Sequence, residues 1–372
     1  MIPSVYERLH ITPGVSAVIV SLALMLIAGF AMTRLTSKLR LPNVTAYIVS
    51  GILLGPFCLD LVPRGVIDGM SFLADIALAF IAFSTGEFFR ISTLKKSGAK
   101  VLVITVLEAC LASALVFLVC YFPLGLDLNF SLVLGALAAA TAPASTVMTI
   151  RQTGAKGDFV DTLLQVVALD DVVGLVLYSV AISVALASLG GAGGFSFETL
   201  VKPVLLNLAA LALGGLFGLF MKLLMPERRS TDNKLIISVA LLFAFCGVCA
   251  LIDVSPLLGC MAMGTVYTNV AENDKLFKQL GYFSPPILLL FFVRSGMNFK
   301  LNALFSASGN LGGVPLIAVG VGYFLVRILG KYVGAWLGCA AVGKEKRTRN
   351  YLGLALIPQA GVAIGLAALG AR

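Results

Sequence analysis

Apolar runs of about 20 residues, each closed by a short polar or basic loop, follow one another along the whole chain. A helix rises 1.5 Å per residue, so about 20 apolar residues cross a bilayer core roughly 30 Å thick. On that measure the pattern predicts twelve spans. They lie near 14–38, 43–62, 66–89, 98–122, 130–152, 159–189, 200–224, 233–252, 256–271, 276–298, 312–342 and 348–370. The ninth is short, and Gly259 and Gly264 weaken it further. Runs of this length do not alternate at period two, which argues against an outer-membrane barrel. The expected fold class is an all-α polytopic membrane protein.

Composition narrows this further. Of 372 residues, 59% are hydrophobic and only 12% are charged, against about 25% charged in an average soluble domain. That excludes a soluble enzyme, a disordered chain and a secreted disulfide scaffold. Cys246 and Cys249 form a CxxC inside an apolar run and read as small packing residues. No resident cofactor is expected.

The formal charge of +9 first suggests a polyanionic partner. The basic residues, however, sit in short loops between spans, so nucleic acid is not an expected partner and a lipid membrane is. Loops after the odd-numbered spans hold 19 of the 27 Lys and Arg; the opposite loops and ends hold 5 (Arg8, Arg64, Lys202, Lys300, Arg372). Basic loops stay cytoplasmic. The bias therefore places the N-terminus outside, in an inner or plasma membrane. No cleavable signal peptide is expected before the first span.

An internal repeat is also legible. Thr85-Gly-Glu-Phe-Phe-Arg90 closes the third span, and Ser295-Gly-Met-Asn-Phe-Lys300 closes the tenth. Leu53-Leu-Gly55 resembles Leu257-Leu-Gly259. These matches map spans 1–6 onto spans 8–13, with the seventh as a link. The first repeat would be 14–189, the linking helix 200–224 and the second repeat 233–372. Seven spans separate the copies, an odd number, so the repeats would be inverted, which is a transporter signature. The mapping calls for a thirteenth helix beyond the twelve.

Charges at mid-span are costly in hydrocarbon and mark function. Asp170 and Asp171 lie in the middle of span 6, in Gln165-Val-Val-Ala-Leu-Asp-Asp-Val-Val-Gly174. Neighbours on a helix point about 100° apart, so one can face a cavity and the other an adjacent helix. Two carboxylates so close in a low dielectric cannot both hold charge cheaply without a cation beside them. A proton and an alkali cation would then compete for one site, which is the chemistry of exchange. Arg327, mid-span 11, needs an anion, and Asp170 and Glu108 (mid-span 4) are both candidates. Lys331, one turn on, is expected to snorkel. Arg294 and Glu87 lie near span ends and read as interfacial or capping groups.

Helix breaks complete the pattern. Span 5 contains Thr141-Ala-Pro143 and Ser145; span 12 contains Ile357-Pro358-Gln359. Pro143 and Pro358 each disrupt the preceding turn. Freed carbonyls are tolerated at membrane depth only against protein or a watery cavity. Two breaks in corresponding spans point to a midplane ion site, with Thr141, Ser145 and Gln359 able to supply oxygens.

Together, Asp170-Asp171, Thr141-Ala-Pro143, Arg327, Ile357-Pro-Gln-Ala-Gly361 and Leu53-Leu-Gly-Pro56 resemble the monovalent cation–proton antiporter superfamily, on its Kef/NapA/NhaA-like side. The resemblance implies two crossed discontinuous helices in an NhaA-like fold, a homodimer and an elevator motion. It implies a core of helices about 66–189 and 276–370, and dimerisation helices about 14–62 and 200–271. Asp171 would be the main ion-binding carboxylate and Asp170 its partner, with Thr141 as a further Na⁺ ligand. Two-aspartate members often carry Lys where Arg327 stands; an arginine there would imply one-for-one exchange. The expected function is antiport of Na⁺ (or K⁺ or Li⁺) against H⁺, not enzymatic catalysis. The alternatives are a Kef-like K⁺ efflux system, a sodium-coupled symporter of the bile-acid-transporter kind, an intramembrane aspartyl protease and a channel.

Overall fold

The computed structural model describes residues 14–39, 41–92, 98–143, 146, 149–150, 153–189, 197–226, 228–252, 254, 256–271, 275–299, 310–311 and 313–359. Helix dominates them: α1 Val15–Lys38, α2 Asn43–Leu54, α3 Arg64–Gly69, α4 Phe72–Thr85, α5 Ala99–Tyr121, α6 Leu128–Ala139 and α7 Asp158–Leu189. There follow α8 Phe197–Leu224, α9 Thr231–Leu251, α10 Leu257–Val270, α11 Lys275–Phe283, α12 Pro285–Met297, α13 Leu316–Ala341 and α14 Lys346–Ala355. Two-residue strands, β1 Asn310–Leu311 and β2 Val314–Pro315, pair antiparallel ahead of α13.

Each of the twelve expected stretches carries helix. Six helices are by themselves long and apolar enough to cross a bilayer: α1, α5, α7, α8, α9 and α13. The pair α11 and α12, bent by 47°, makes a seventh if taken as one span. The bend has a local cause, because Pro285 and Pro286 occupy the first turn of α12 and cannot continue the ladder of α11. Three further apolar helices, α2, α6 and α10, are short. Composition alone does not show their ends. Gly55-Pro56 stops α2, and α6 stops at Ala140, whose ψ of 137° is extended. The start of α6 is set by Asp127, whose carboxylate accepts from Asn129 N at 2.9 Å.

The chain forms two compact units. One comprises residues 1–77 and 278–308. Met25, Leu54, Ile67, Leu289, Val293 and Met297 are among its apolar core residues. Within it α2 and α12 meet backbone to backbone: a Cβ on Gly51 would stand 2.0 Å from Val293 O, and one on Gly296 2.2 Å from Ile48 O. Arg294 donates from Nε to Ile67 O at 2.8 Å and so caps α3.

The other unit comprises residues 78–277 and 309–372. Here α10 meets the end of α4 in the same manner. A Cβ on Gly264 would stand 2.1 Å from Phe83 O, and one on Gly86 2.6 Å from Met261 O. Asn269 holds the chain that follows, donating to Phe89 O and accepting from Ile91 N, at 2.9 and 2.8 Å. Two apolar clusters flank the middle of α13. Ile104, Val166, Ala335, Cys339 and Leu352 belong to one; Val116, Cys120, Leu126, Ala138 and Val319 belong to the other.

Candidate functional site

Tyr323, Arg327 and Lys331 recur every four residues on α13 and therefore share one face. Gly330, Gly334 and Gly338 recur at the same interval beside them. Lacking side chains, these glycines let α13 lie directly on α5. A Cβ on Gly330 would stand 2.6 Å from Ala112 Cα, one on Gly334 2.5 Å from Glu108 Cα, and one on Gly338 2.8 Å from Ile104 Cα. That contact brings Lys331 to Glu108.

Lys331 is fully buried, not snorkelling. Its ammonium lies 2.8 Å from Asp170 Oδ2 and 2.8 Å from Glu108 Oε2. It also donates to Thr141 Oγ1 at 3.0 Å and to the carbonyl of Ala139. Thr141 Oγ1 in turn donates to Asp170 Oδ2. Asp170, Glu108, Thr141 and Lys331 all have zero exposure. Two acids from α5 and α7 thus share one cation from α13, at the end of α6. Among the described residues, Asp170 Oδ1 and both carboxylate oxygens of Glu108 find no partner in full hydrogen-bonding geometry, although Glu108 interacts with both Asp170 and Lys331, the latter at ion-pair distance.

Arg327 does something other than pair with an acid. Its guanidinium donates to Ala138 O (3.1 Å), Ala140 O (2.7 Å) and Ile357 O (2.7 Å). The first two carbonyls are freed where α6 stops, and the third follows the end of α14. A planar fork of donors suits several acceptors at once, and buried carbonyls require partners. Arg327 therefore compensates helix ends, and Lys331 stands at the aspartate. The expectation of one-for-one exchange, which assumed an arginine at that aspartate, loses this ground.

The chain just past the end of α6 meets the chain just past the end of α14. Ala142 N donates to Pro358 O at 3.0 Å. Gln359 was expected to offer an oxygen to an ion. Its amide instead donates to Leu137 O at 2.7 Å and bonds the Tyr323 hydroxyl, so it ties the chain after α14 to α6 and α13. Helix resumes at Pro143. Ser145 lies outside the described residues. Asp171 continues α7 directly after Asp170, and its side chain lies outside the described residues too.

The structure therefore brings together Asp170, Thr141, Glu108, Arg327, Pro358 and Gln359. Sequence reasoning missed Lys331, Tyr323 and the carbonyls of Ala138, Ala139, Ala140 and Ile357. The available signal was the four-residue spacing of Tyr323, Arg327 and Lys331 beside three glycines at the same spacing. Chemically, the cluster is a desolvated acid pair sharing one cation, set beside buried main-chain oxygens freed where α6 ends. Burying such charges is expensive unless they are paired.

A sequence model of the family described as "Sodium/hydrogen exchanger, transmembrane" matches residues 20–372. The ammonium/H⁺ antiporter subunit AmhT of Alkalihalophilus pseudofirmus is 24% identical over 359 residues, covering 94% of this chain and 85% of that protein. The K⁺/H⁺ antiporter subunit KhtU of Bacillus subtilis is 22% identical over 367 residues, covering 94% and 85%. Among solved structures, the sodium proton antiporter MjNhaP1 from Methanocaldococcus jannaschii at pH 8 superposes with a TM-score of 0.70 at 23% identity, covering 94% of this chain and 84% of that one. The chain belongs to the sodium/hydrogen exchanger family of transmembrane proteins, within the monovalent cation–proton antiporters.

Proposed function

We propose that this integral membrane protein exchanges a monovalent cation, Na⁺, K⁺ or Li⁺, for protons by alternating access. Asp170 and Asp171 form the competing cation and proton site, and Thr141 and Ser145 add oxygens to it. The observation that carries the reading is the Asp170–Lys331–Glu108 cluster, sealed from solvent beside the contact between the ends of α6 and α14. A cation arriving at the acids removes the need for the Lys331 ammonium, and a proton arriving restores it. The relatives named above, an ammonium/H⁺, a K⁺/H⁺ and a sodium proton antiporter, support the same chemistry.

Inverted repeats in an NhaA-like arrangement of twelve or thirteen spans remain part of this reading. Two helix crossings support them. Gly86 meets Met261 O as Gly296 meets Ile48 O, and Gly264 meets Phe83 O as Gly51 meets Val293 O. The same pattern thus recurs at an offset of 210 residues on one side and 213 on the other. This register for the second span differs by nine residues from the one that Leu53-Leu-Gly55 suggests. A homodimer in an inner or plasma membrane, with the N-terminus outside and an elevator motion of the core helices, completes the proposal.

Dissipation of a pH gradient in proteoliposomes, followed by dye dequenching on adding Na⁺, K⁺ or Li⁺, tests it. Exchange that Asp170→Asn or Asp171→Asn abolishes is expected. Wild-type rates in both variants would remove the aspartates from the mechanism.

A further inference from the structure

Trp336, the chain's single tryptophan, lies on α13 five residues before its end at Ala341. That is about 7.5 Å inside the end of a helix long and apolar enough to cross the membrane. Tryptophan meets lipid headgroups at this depth. Its side chain is 37% exposed, and the exposed Leu325 and Leu329 continue the same face of α13 toward the hydrocarbon. After a short turn, α14 returns antiparallel along α13. A Cβ on Gly353 would stand 2.5 Å from Tyr332 Cα. Four residues earlier on α14, and four later on α13, the Arg349 guanidinium carbon lies 5.2 Å from the Trp336 ring centroid, a cation–π contact. The hairpin thus carries Arg349 to the headgroup level.

Arg349 Nε is buried without an acceptor, and among the described residues no acid pairs with Arg349, Lys346 or Arg347. Lys344, the other cation of this turn, is taken by Asp158 and Thr162. The first turn of α14 holds no acidic residue, and Glu345 before it makes no side-chain cap bond. Three cations therefore crowd a helix end where the peptide dipoles already place positive charge. A partly desolvated guanidinium in such a place calls for an anion. Lys346 is exposed and lies one turn before Arg349 on the same face. Arg347, also exposed, points about 160° away from Arg349.

We propose that Arg349, Lys346 and Trp336 form a headgroup site for an anionic phospholipid of the leaflet that faces the basic loops. The phosphate sits between Arg349 and Lys346, and an acyl chain lies along Trp336, Leu329 and Leu325. Guanidinium suits phosphate because its fork donates two parallel N–H bonds. Depth selects a lipid over a dissolved anion, since anything that reaches the guanidinium beside Trp336 must enter the headgroup layer. Anionic lipids also gather at basic segments that border a membrane helix. The site is separate from the exchange chemistry and does not depend on it.

Because the single tryptophan belongs to the site, quenching of its fluorescence by brominated acyl chains reports which lipid lies there. Purified full-length protein would be reconstituted in vesicles of phosphatidylcholine and phosphatidylglycerol, with bromine on the chains of one lipid or the other. At equal mole fraction, brominated phosphatidylglycerol should quench Trp336 as though enriched about tenfold, the scale of one hydrogen bond to a charged group. Equal quenching by the two lipids in wild type would overturn the inference. Arg349→Gln should remove most of the enrichment. Arg347→Gln, which deletes the same charge from the opposite face of α14, should keep it. Equal losses in the two variants would reduce the site to diffuse surface charge and sink the idea. Should Arg349→Gln fail to fold, Lys346→Gln is compared with Arg347→Gln in the same way. Inorganic phosphate in excess, at constant ionic strength, should leave the enrichment intact. Loss of the enrichment in phosphate would assign the cations to a dissolved anion and defeat the lipid assignment.

Discussion

The Lys331 ammonium stands 2.8 Å from Asp170 Oδ2, and neither side chain has any solvent exposure. Removing one member of a buried pair leaves an uncompensated charge and costs about 3–5 kcal/mol. Lys331→Met alone should therefore lower thermal stability strongly, and so should Asp170→Asn alone. The double variant should regain part of the loss, because Asp170 no longer stands as a charge without its cation and only Glu108 is left uncompensated. Glu108 shares the ammonium, so recovery should be larger when Glu108→Gln is added. Thermal unfolding of purified protein checks the order. If losses were strictly additive across the set, the three groups would not act as one cluster.

Arg327→Lys keeps the charge but loses the fork that reaches three carbonyls. One ammonium cannot span Ala138 O, Ala140 O and Ile357 O, so at least one carbonyl freed at a helix end goes unpaired. Each hydrogen bond to a charged group is worth about 1.5–3 kcal/mol. Exchange should fall at least about tenfold, while total expression in the membrane drops less. Initial dequenching rates normalised to protein would reveal the effect; wild-type rates would show that the carbonyls find other donors.

Gly334→Ala and Gly322→Ala, both on α13, form a paired test. The new methyl at position 334 would sit 2.5 Å from Glu108 Cα, which is backbone and cannot turn aside. Overpacking of this kind costs about 1–3 kcal/mol, and it pushes Lys331 away from Glu108. At position 322 the nearest atom is Leu124 Cδ1 at 3.7 Å, an ordinary contact. There alanine should be neutral or stabilising by up to about 1 kcal/mol through helix propensity. Melting midpoints and exchange rates should therefore fall for 334 and hold for 322. Matching behaviour at the two sites would contradict the close approach of α13 to α5.

Lys344 pairs with Asp158 Oδ2 at 3.0 Å and donates to Thr162 Oγ1 at 2.8 Å, at the start of α7. Asp158 is 69% exposed, so solvent screens the pair. Exposed pairs contribute about 0–1 kcal/mol. Asp158→Asn should leave exchange unaltered and shift stability by less than about 1 kcal/mol, with the shift vanishing in high salt. A large salt-independent loss measured by thermal unfolding would place this pair among the structural ones.

The positions of the helices were legible because hydrophobic length and loop charge are local quantities. The twelve apolar stretches all carry helix, α6 stops just before Thr141-Ala-Pro143, and α14 stops just before Ile357-Pro-Gln359. Asp170 stood out because a carboxylate in hydrocarbon demands a partner, whatever the partner is. The identity of that partner was another matter. Arg327 and Lys331 are one turn apart, and either could face an acid.

What the sequence determined by itself was a membrane-spanning helical chain with prolines and charges set within its apolar runs, since burial energy and proline chemistry act within a few residues. What only the tertiary structure decided was which cation meets which anion. Gly330, Gly334 and Gly338 draw α13 onto α5, and the end of α6 meets the end of α14 through Ala142 and Pro358. Those contacts turn Arg327 toward carbonyls and Lys331 toward Asp170 and Glu108. The residues involved lie more than 160 positions apart for Lys331 and Asp170, and no local pattern encodes a distance of 2.8 Å across such a separation.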